Sequence, residues 1–155
     1  MIRKIIGLLM LAMVVLAVTV SIAFILSRHQ TEPLVDRRLQ PIIDEWRLDM
    51  HRAGISYEKG FNKITIIRVR AGDGLHSGGS DRWTGEVSVF LSQLEAGPYS
   101  VKGTLYHELG HYIFQLDHSC CAIMRQQVWE EEEYREHWAE WTKEYQECIK
   151  RKSNY

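Results

Sequence analysis

His107-Glu108-Leu109-Gly110-His111 sets two imidazoles four residues apart with a carboxylate between them. On an α-helix that spacing puts both rings on one face, one turn apart, where they can share a divalent metal ion. Glu108 then stands where it can take a proton from a water activated by such an ion. The flanking residues predict the helix: at about 100° per residue, Leu105, Leu109, Tyr112, Ile113 and Leu116 form an apolar stripe with His107 and His111 roughly opposite. One face is suited to a core and the other to a cleft. A catalytic Zn²⁺ takes three protein ligands and keeps a fourth position for water, so a third ligand is required. His118 is the nearest candidate, and Ala122-Ile123-Met124 follows it. Taken alone, His-Glu-x-x-His also occurs on helices that bind nothing, and an Ile-Met pair is ordinary core. The succession of HELGH, DHS and AIM within residues 107–124 is what points to a metal.

That succession resembles the signature of the metzincin metallopeptidases, most nearly their matrixin-like branch. The family pattern is H-E-x-x-H-x-x-G-x-x-H, often continued as Asp-His-Ser, and then a turn that passes a methionine beneath the metal. Two positions depart from it: Phe114 stands where the family has glycine, and His118 follows His111 by seven residues rather than six. An extra residue can widen the turn that the glycine otherwise makes, and small bacterial metallopeptidases are similar in having this longer spacing. The resemblance implies Zn²⁺ on His107, His111 and His118, Glu108 as general base, Met124 in the Met-turn, and a peptide or protein substrate. It also implies that the strand before the active-site helix, residues 86–91, forms the sheet edge that pairs with extended substrate.

Other readings stay open. Gluzincin-type peptidases take their third ligand from a glutamate about twenty residues after HExxH, for which Glu131, Glu132 and Glu133 qualify. Asp117 could coordinate through oxygen or support a ligand by a hydrogen bond. A non-catalytic zinc-binding interaction module is a rival from another class. Against it stands Glu108, a carboxylate for which a purely structural zinc site has no use.

The elements that must position these groups are legible as periodicities. Val35, Leu39, Ile42, Trp46, Met50 and Ala53 recur at helical spacing over residues 34–53, which end at Gly54; Pro41 kinks this helix or starts its regular part. Residues 64–69 are rich in β-branched side chains and predict a strand, and residues 86–91 alternate and predict a second. Between them, residues 72–85 carry five glycines and are expected to be a loop, either a plain connection or a cleft rim with Asp73 and Asp81 on a calcium ion. Residues 95–99 are expected to turn, with Ser100 capping the HELGH helix. A last helix has Glu130–Glu133 in its first turn and Lys150–Lys152 in its last, and its Tyr134, Trp138, Trp141, Tyr145 and Cys148 share one face. The expected fold is α+β: a small twisted β-sheet backed by the 34–53 helix, an active-site helix beneath it, and a C-terminal helix closing the far side of the cleft.

The whole chain divides as residues 1–27, a linker of 28–33, and a metallopeptidase-like domain of 34–155. At 155 residues there is room for one domain, and a net charge of −1 gives no reason to expect nucleic acid as a partner. After Arg3 and Lys4, residues 5–27 are uncharged and as a helix would span roughly 34 Å, a bilayer's hydrocarbon thickness. They predict a single-pass transmembrane anchor. A cleaved signal peptide ending at Ser21-Ile22-Ala23 is the alternative, although the apolar region exceeds the usual 7–15 residues. No cysteine lies near its end, which excludes a lipoprotein. Arg28, Arg37 and Arg38 oppose Arg3 and Lys4 in setting orientation, but a short N-terminal tail favours a catalytic domain outside the cytoplasm, periplasmic or extracellular. There, Cys120 or Cys121 could bridge to Cys148; three reduced thiols are the equal alternative.

Overall fold

Valine and isoleucine crowd residues 66–70 and 86–90, and both stretches are strands. The computed structural model describes residues 32–72, 76–126 and 129–153, together with Met13. The described residues from 32 onward form an α+β domain. Its mixed sheet has four strands, β1 (Leu34–Val35), β2 (Ile66–Arg70), β3 (Gly78–Asp81) and β4 (Glu86–Phe90). Its helices are α1 (Gln40–Arg52), α2 (Glu58–Phe61), α3 (Leu91–Ala96), α4 (Pro98–Leu109) and α5 (Glu131–Ser153), and a π-helical turn, Gly110–Phe114, continues α4.

The strand order is β1-β2-β4-β3. β2 runs parallel to both β1 and β4, with Ile67 opposite Val35 and Val87, whereas β3 lies antiparallel to β4 with Gly78 opposite Val89. Ile67, Val87 and Val89 are fully buried against Ile43, Trp46 and Met50 of α1 and Leu105, Tyr106 and Leu109 of α4. The sheet, α1 and α4 therefore share one core, as an α+β domain requires.

Four local expectations are corrected. Leu34 and Val35 are strand, not helix: they pair with Ile66 and Ile67. The backing helix begins at Gln40 with Pro41 in its first turn, where a missing N–H costs nothing. It ends as expected at Gly54, whose φ of 68° lets Ile55 N–H reach the Met50 carbonyl at 2.9 Å. The expected turn at 95–99 is mostly helix, since α3 occupies Leu91–Ala96 and only Gly97 separates it from α4.

The fourth correction concerns the site. Residues 72–85 are not wholly loop, because Gly78–Asp81 pairs with β4, and it is β3 rather than residues 86–91 that forms the sheet edge. Gly-Gly-Ser-Asp has poor strand propensity of its own, so this strand exists through pairing with Val87–Val89.

α5 buries Tyr134, Tyr145, Cys148 and Ile149 and half-buries Trp138 and Trp141, the face its spacing predicts. Cys120 and Cys148 form a disulfide, and Cys121 is a free thiol. The anchor expected over residues 1–27 lies, Met13 apart, outside the described residues. Among the described residues no helix is long and apolar enough to cross a membrane.

Candidate metal centre

The helix carrying His107 and His111 is held at both ends by side chains from other elements. At its N-terminus the Glu131 carboxylate of α5 accepts the backbone N–H groups of Tyr99 (3.2 Å) and Ser100 (2.7 Å). It thus answers two of the donors that a helix start leaves unpaired and places negative charge at the positive end of the dipole. Ser100, expected to cap by its own side chain, sits inside the first turn, and α4 has no such cap. At the other end, Arg82 from the β3–β4 turn donates to the carbonyls of His111 (2.8 Å) and Tyr112 (3.1 Å).

His118 reaches the pair by a specific distortion. The helix loosens to π geometry over Gly110–Phe114 and stops at Gln115, which takes left-handed angles of φ 57° and ψ 35°. The π-turn takes up one residue, and Gln115 makes the reversal for which Phe114 is unsuited. The longer His111–His118 spacing is thereby absorbed. Asp117 is not directed at the cluster: its carboxylate accepts from the Ser119 backbone N–H (2.9 Å) and the Ser119 hydroxyl, closing the turn that presents His118.

Three ring nitrogens converge, from His107, His111 and His118, all within 4.8 Å of one another. Nδ1 of His107 lies 2.8 Å from the Ile123 carbonyl, and Nδ1 of His111 lies 2.7 Å from the Leu116 carbonyl. A carbonyl only accepts, so each ring carries its proton on Nδ1. Burial lowers the pKa of both rings, His107 to about 4, so at neutral pH neither holds a second proton. Both Nε2 atoms therefore present bare lone pairs, facing each other across 3.0 Å, and Nε2 of His118 lies 2.9 Å from that of His111. Facing lone pairs repel unless a cation stands between them. Nitrogens bound tetrahedrally to zinc at about 2.05 Å would be about 3.3 Å apart, a few tenths more than these separations, so the donor set fits Zn²⁺.

Glu108 points to the β3 side. It is buried, which pushes its carboxyl up to about 7 against a smaller lowering by the Ser80 hydroxyl. β3 comes so close that a Cβ on Gly78 would stand 2.7 Å from the Ser88 carbonyl oxygen and from Thr104 Cγ2, and 3.2 Å from Glu108 Cγ. Met124 is fully buried beneath the helix, its sulfur 2.6 Å from where a Cβ on Gly110 would be. The glycine of HELGH thus leaves the space that the methionine fills. The resulting cleft, of ≈ 300 Å³, is lined by the three histidines, Glu108, Gly78 and Tyr134 among others.

The remaining sequence candidates lie elsewhere. Glu131 is engaged at the start of α4, Glu132 pairs with Arg135, and Glu133 accepts the Glu130 backbone N–H (3.1 Å). The structure does not bring these three glutamates to the histidines. Asp81 accepts the Trp83 backbone N–H at 2.8 Å in the hairpin turn, and Asp73, its expected partner on calcium, is outside the described residues. Tyr134, read only as a core-facing residue, also lines the cleft. Arg82 carried no sequence signal at all. No family model, curated protein or solved structure matches this chain.

Proposed function

We propose that the domain is a zinc-dependent endopeptidase, in keeping with the metzincin resemblance of its HELGH, DHS and AIM motifs, and that residues 1–27 anchor it in a membrane with the catalytic domain outside the cytoplasm. The observation that carries the metal reading is the pair of bare Nε2 lone pairs on His107 and His111, turned toward each other by their Nδ1–H bonds and joined by His118. Zinc, when bound there, supplies Lewis-acid activation of water and polarisation of a carbonyl.

The chain's own groups account for the rest. The Ile123 and Leu116 carbonyls hold the tautomer and orientation of the two ligand rings and make them more basic. Glu108, buried beside the cluster, is suited to take the proton of the attacking water and return it to the leaving amine, because burial brings its pKa close to neutrality. β3 is the terminal strand of the sheet on that side and runs beside Glu108, and an extended peptide can pair on its outer edge by its main chain with little demand on sequence.

Zinc content measured together with cleavage of casein tests the reading. Glu108→Gln should retain zinc and lose about 10²–10⁴-fold in hydrolysis. A variant that cleaves at the parent's rate refutes the role of Glu108. A zinc-loaded parent that leaves casein and unstructured peptides intact points instead to a non-catalytic zinc-binding module.

A further inference from the structure

Resting on that peptidase reading, we infer that Tyr134 is the hydrogen-bond donor for the carbonyl oxygen of the scissile peptide as that oxygen gains negative charge. Tyr134 belongs to α5, yet its ring lies across α4 at Gly103. A Cβ there would stand 2.2 Å from Cε1, 2.3 Å from Cζ and 2.7 Å from the hydroxyl oxygen. The phenol occupies the place that a side chain at position 103 would take.

Position 103 is one helical turn before His107, on the same face, and residues so related have Cβ atoms about 5–6 Å apart. The hydroxyl is thereby carried along the face that bears His107, and Tyr134 lines the same cleft as the three histidines and Glu108. The side chain is held rigidly. Tyr134 is 4 % exposed, packed by ring contacts with Trp138 and Trp141, and wedged over a residue with no side chain to push it away. Among the described residues no hydrogen bond engages its hydroxyl, so a buried phenol that reaches the cleft still has its O–H to give.

The base and this donor approach from opposite flanks. Thr104 and Glu108 meet β3 at Gly78, and Gly103, the neighbouring position round the helix, is covered by Tyr134 of α5. A peptide carbonyl lodged at His107 has Glu108 on one side, facing the attacking water, and the Tyr134 hydroxyl on the other. The proton stays on the phenol throughout; what changes is the strength of its hydrogen bond as the oxygen becomes an anion.

Tyr134→Phe keeps the ring over Gly103 and removes only the donor. Expected are unchanged zinc stoichiometry and KM for a casein-derived peptide and a kcat lower by about 10²-fold, the usual loss for one oxyanion donor. A second readout needs no turnover: a phosphonamidate peptide, whose tetrahedral oxygens carry the charge, should bind the zinc-loaded variant at least about tenfold more weakly, with acetohydroxamate binding unmoved. A kcat within about twofold of the parent, or equal phosphonamidate affinity, overturns the inference even where the parent is a good peptidase. A parent that binds zinc and hydrolyses nothing defeats the peptidase reading, and the phosphonamidate comparison still decides whether Tyr134 serves an anion at this site.

Discussion

Replacing Cys120 by serine opens the one disulfide among the described residues and frees the loop between His118 and Met124 from α5. The bridge closes a sequence separation of 28 residues, so the chain-entropy relation gives a loss of about 12 cal/mol/K, or about 3.6 kcal/mol at 25 °C. The unit Glu32–Tyr155 holds 124 residues. At about 2.1 cal/mol/K per residue its unfolding entropy is about 260 cal/mol/K, and the expected fall in Tm is about 14 °C. Calorimetry of Cys120→Ser, Cys121→Ser and the parent without reductant reads this directly. Cys121→Ser should melt near the parent, and reductant should bring the parent down to Cys120→Ser. Cys120 lies two residues after His118, so the same variant should also hold zinc less tightly. A Cys121→Ser variant that falls as far as Cys120→Ser, or a Cys120→Ser variant within about 3 °C of the parent, refutes the pairing or the entropic account.

His118→Ala leaves two nitrogen ligands, and zinc affinity should drop by orders of magnitude in a competition titration; normal metal content and activity would remove His118 from the ligand set. Glu131→Ala should keep zinc stoichiometry but cost about 0.5–2 kcal/mol in urea unfolding, since it strips the cap from α4; loss of metal with unchanged stability would reverse the assignment. The metal-free Glu108→Gln domain should lose stability on acidification; the substitution removes Glu108, whose carboxyl, pushed up to about 7 by burial, stabilises the folded state as pH falls and so offsets His107. His107 is lowered by burial to about 4 from an ordinary 6.5, so between those values the unfolded chain binds more protons. This contribution is whole above about pH 6.5 and lost as pH falls toward 4, and a metal-free Tm that is flat across the interval contradicts it.

What the residue pattern could and could not convey follows from where each signal resides. HELGH is a local signal: spacing on one helix fixes which side chains share a face, and His107, Glu108 and His111 stand as that spacing requires. His118 was legible as the nearest histidine and through the Asp-His-Ser of the family pattern, but its route to the pair was not, because it depends on a π-turn and a left-handed Gln115 that no residue type advertises. β3 was unreadable for the opposite reason. Gly78-Gly79-Ser80-Asp81 is composed as a loop and becomes a strand through β4, a non-local cause. Helical spacing at Val35 was overridden in the same way, since β1 follows from pairing with Ile66 and Ile67. Glu131 illustrates a subtler limit: an acidic first turn suits its own helix's dipole, but this carboxylate serves the dipole of another helix, 31 residues away in sequence at Ser100.

α5 also imposes an order in time. His107 and His111 leave the ribosome 24 and 20 residues before Glu131, the first residue of α5, and until α5 emerges the HELGH helix has no Glu131 at its start. It also lacks the Tyr145 hydroxyl, which donates to the Tyr106 carbonyl at 2.9 Å, and the Lys152 ammonium, which donates to Gln115 at 2.8 Å. A nascent chain stalled before residue 131 holds His107, His111 and His118 and lacks the α5 side chains that brace the segment carrying them. On the peptidase reading proposed above, the three histidines are therefore aligned only once the last described helix has packed, and activity waits on the synthesis of that helix.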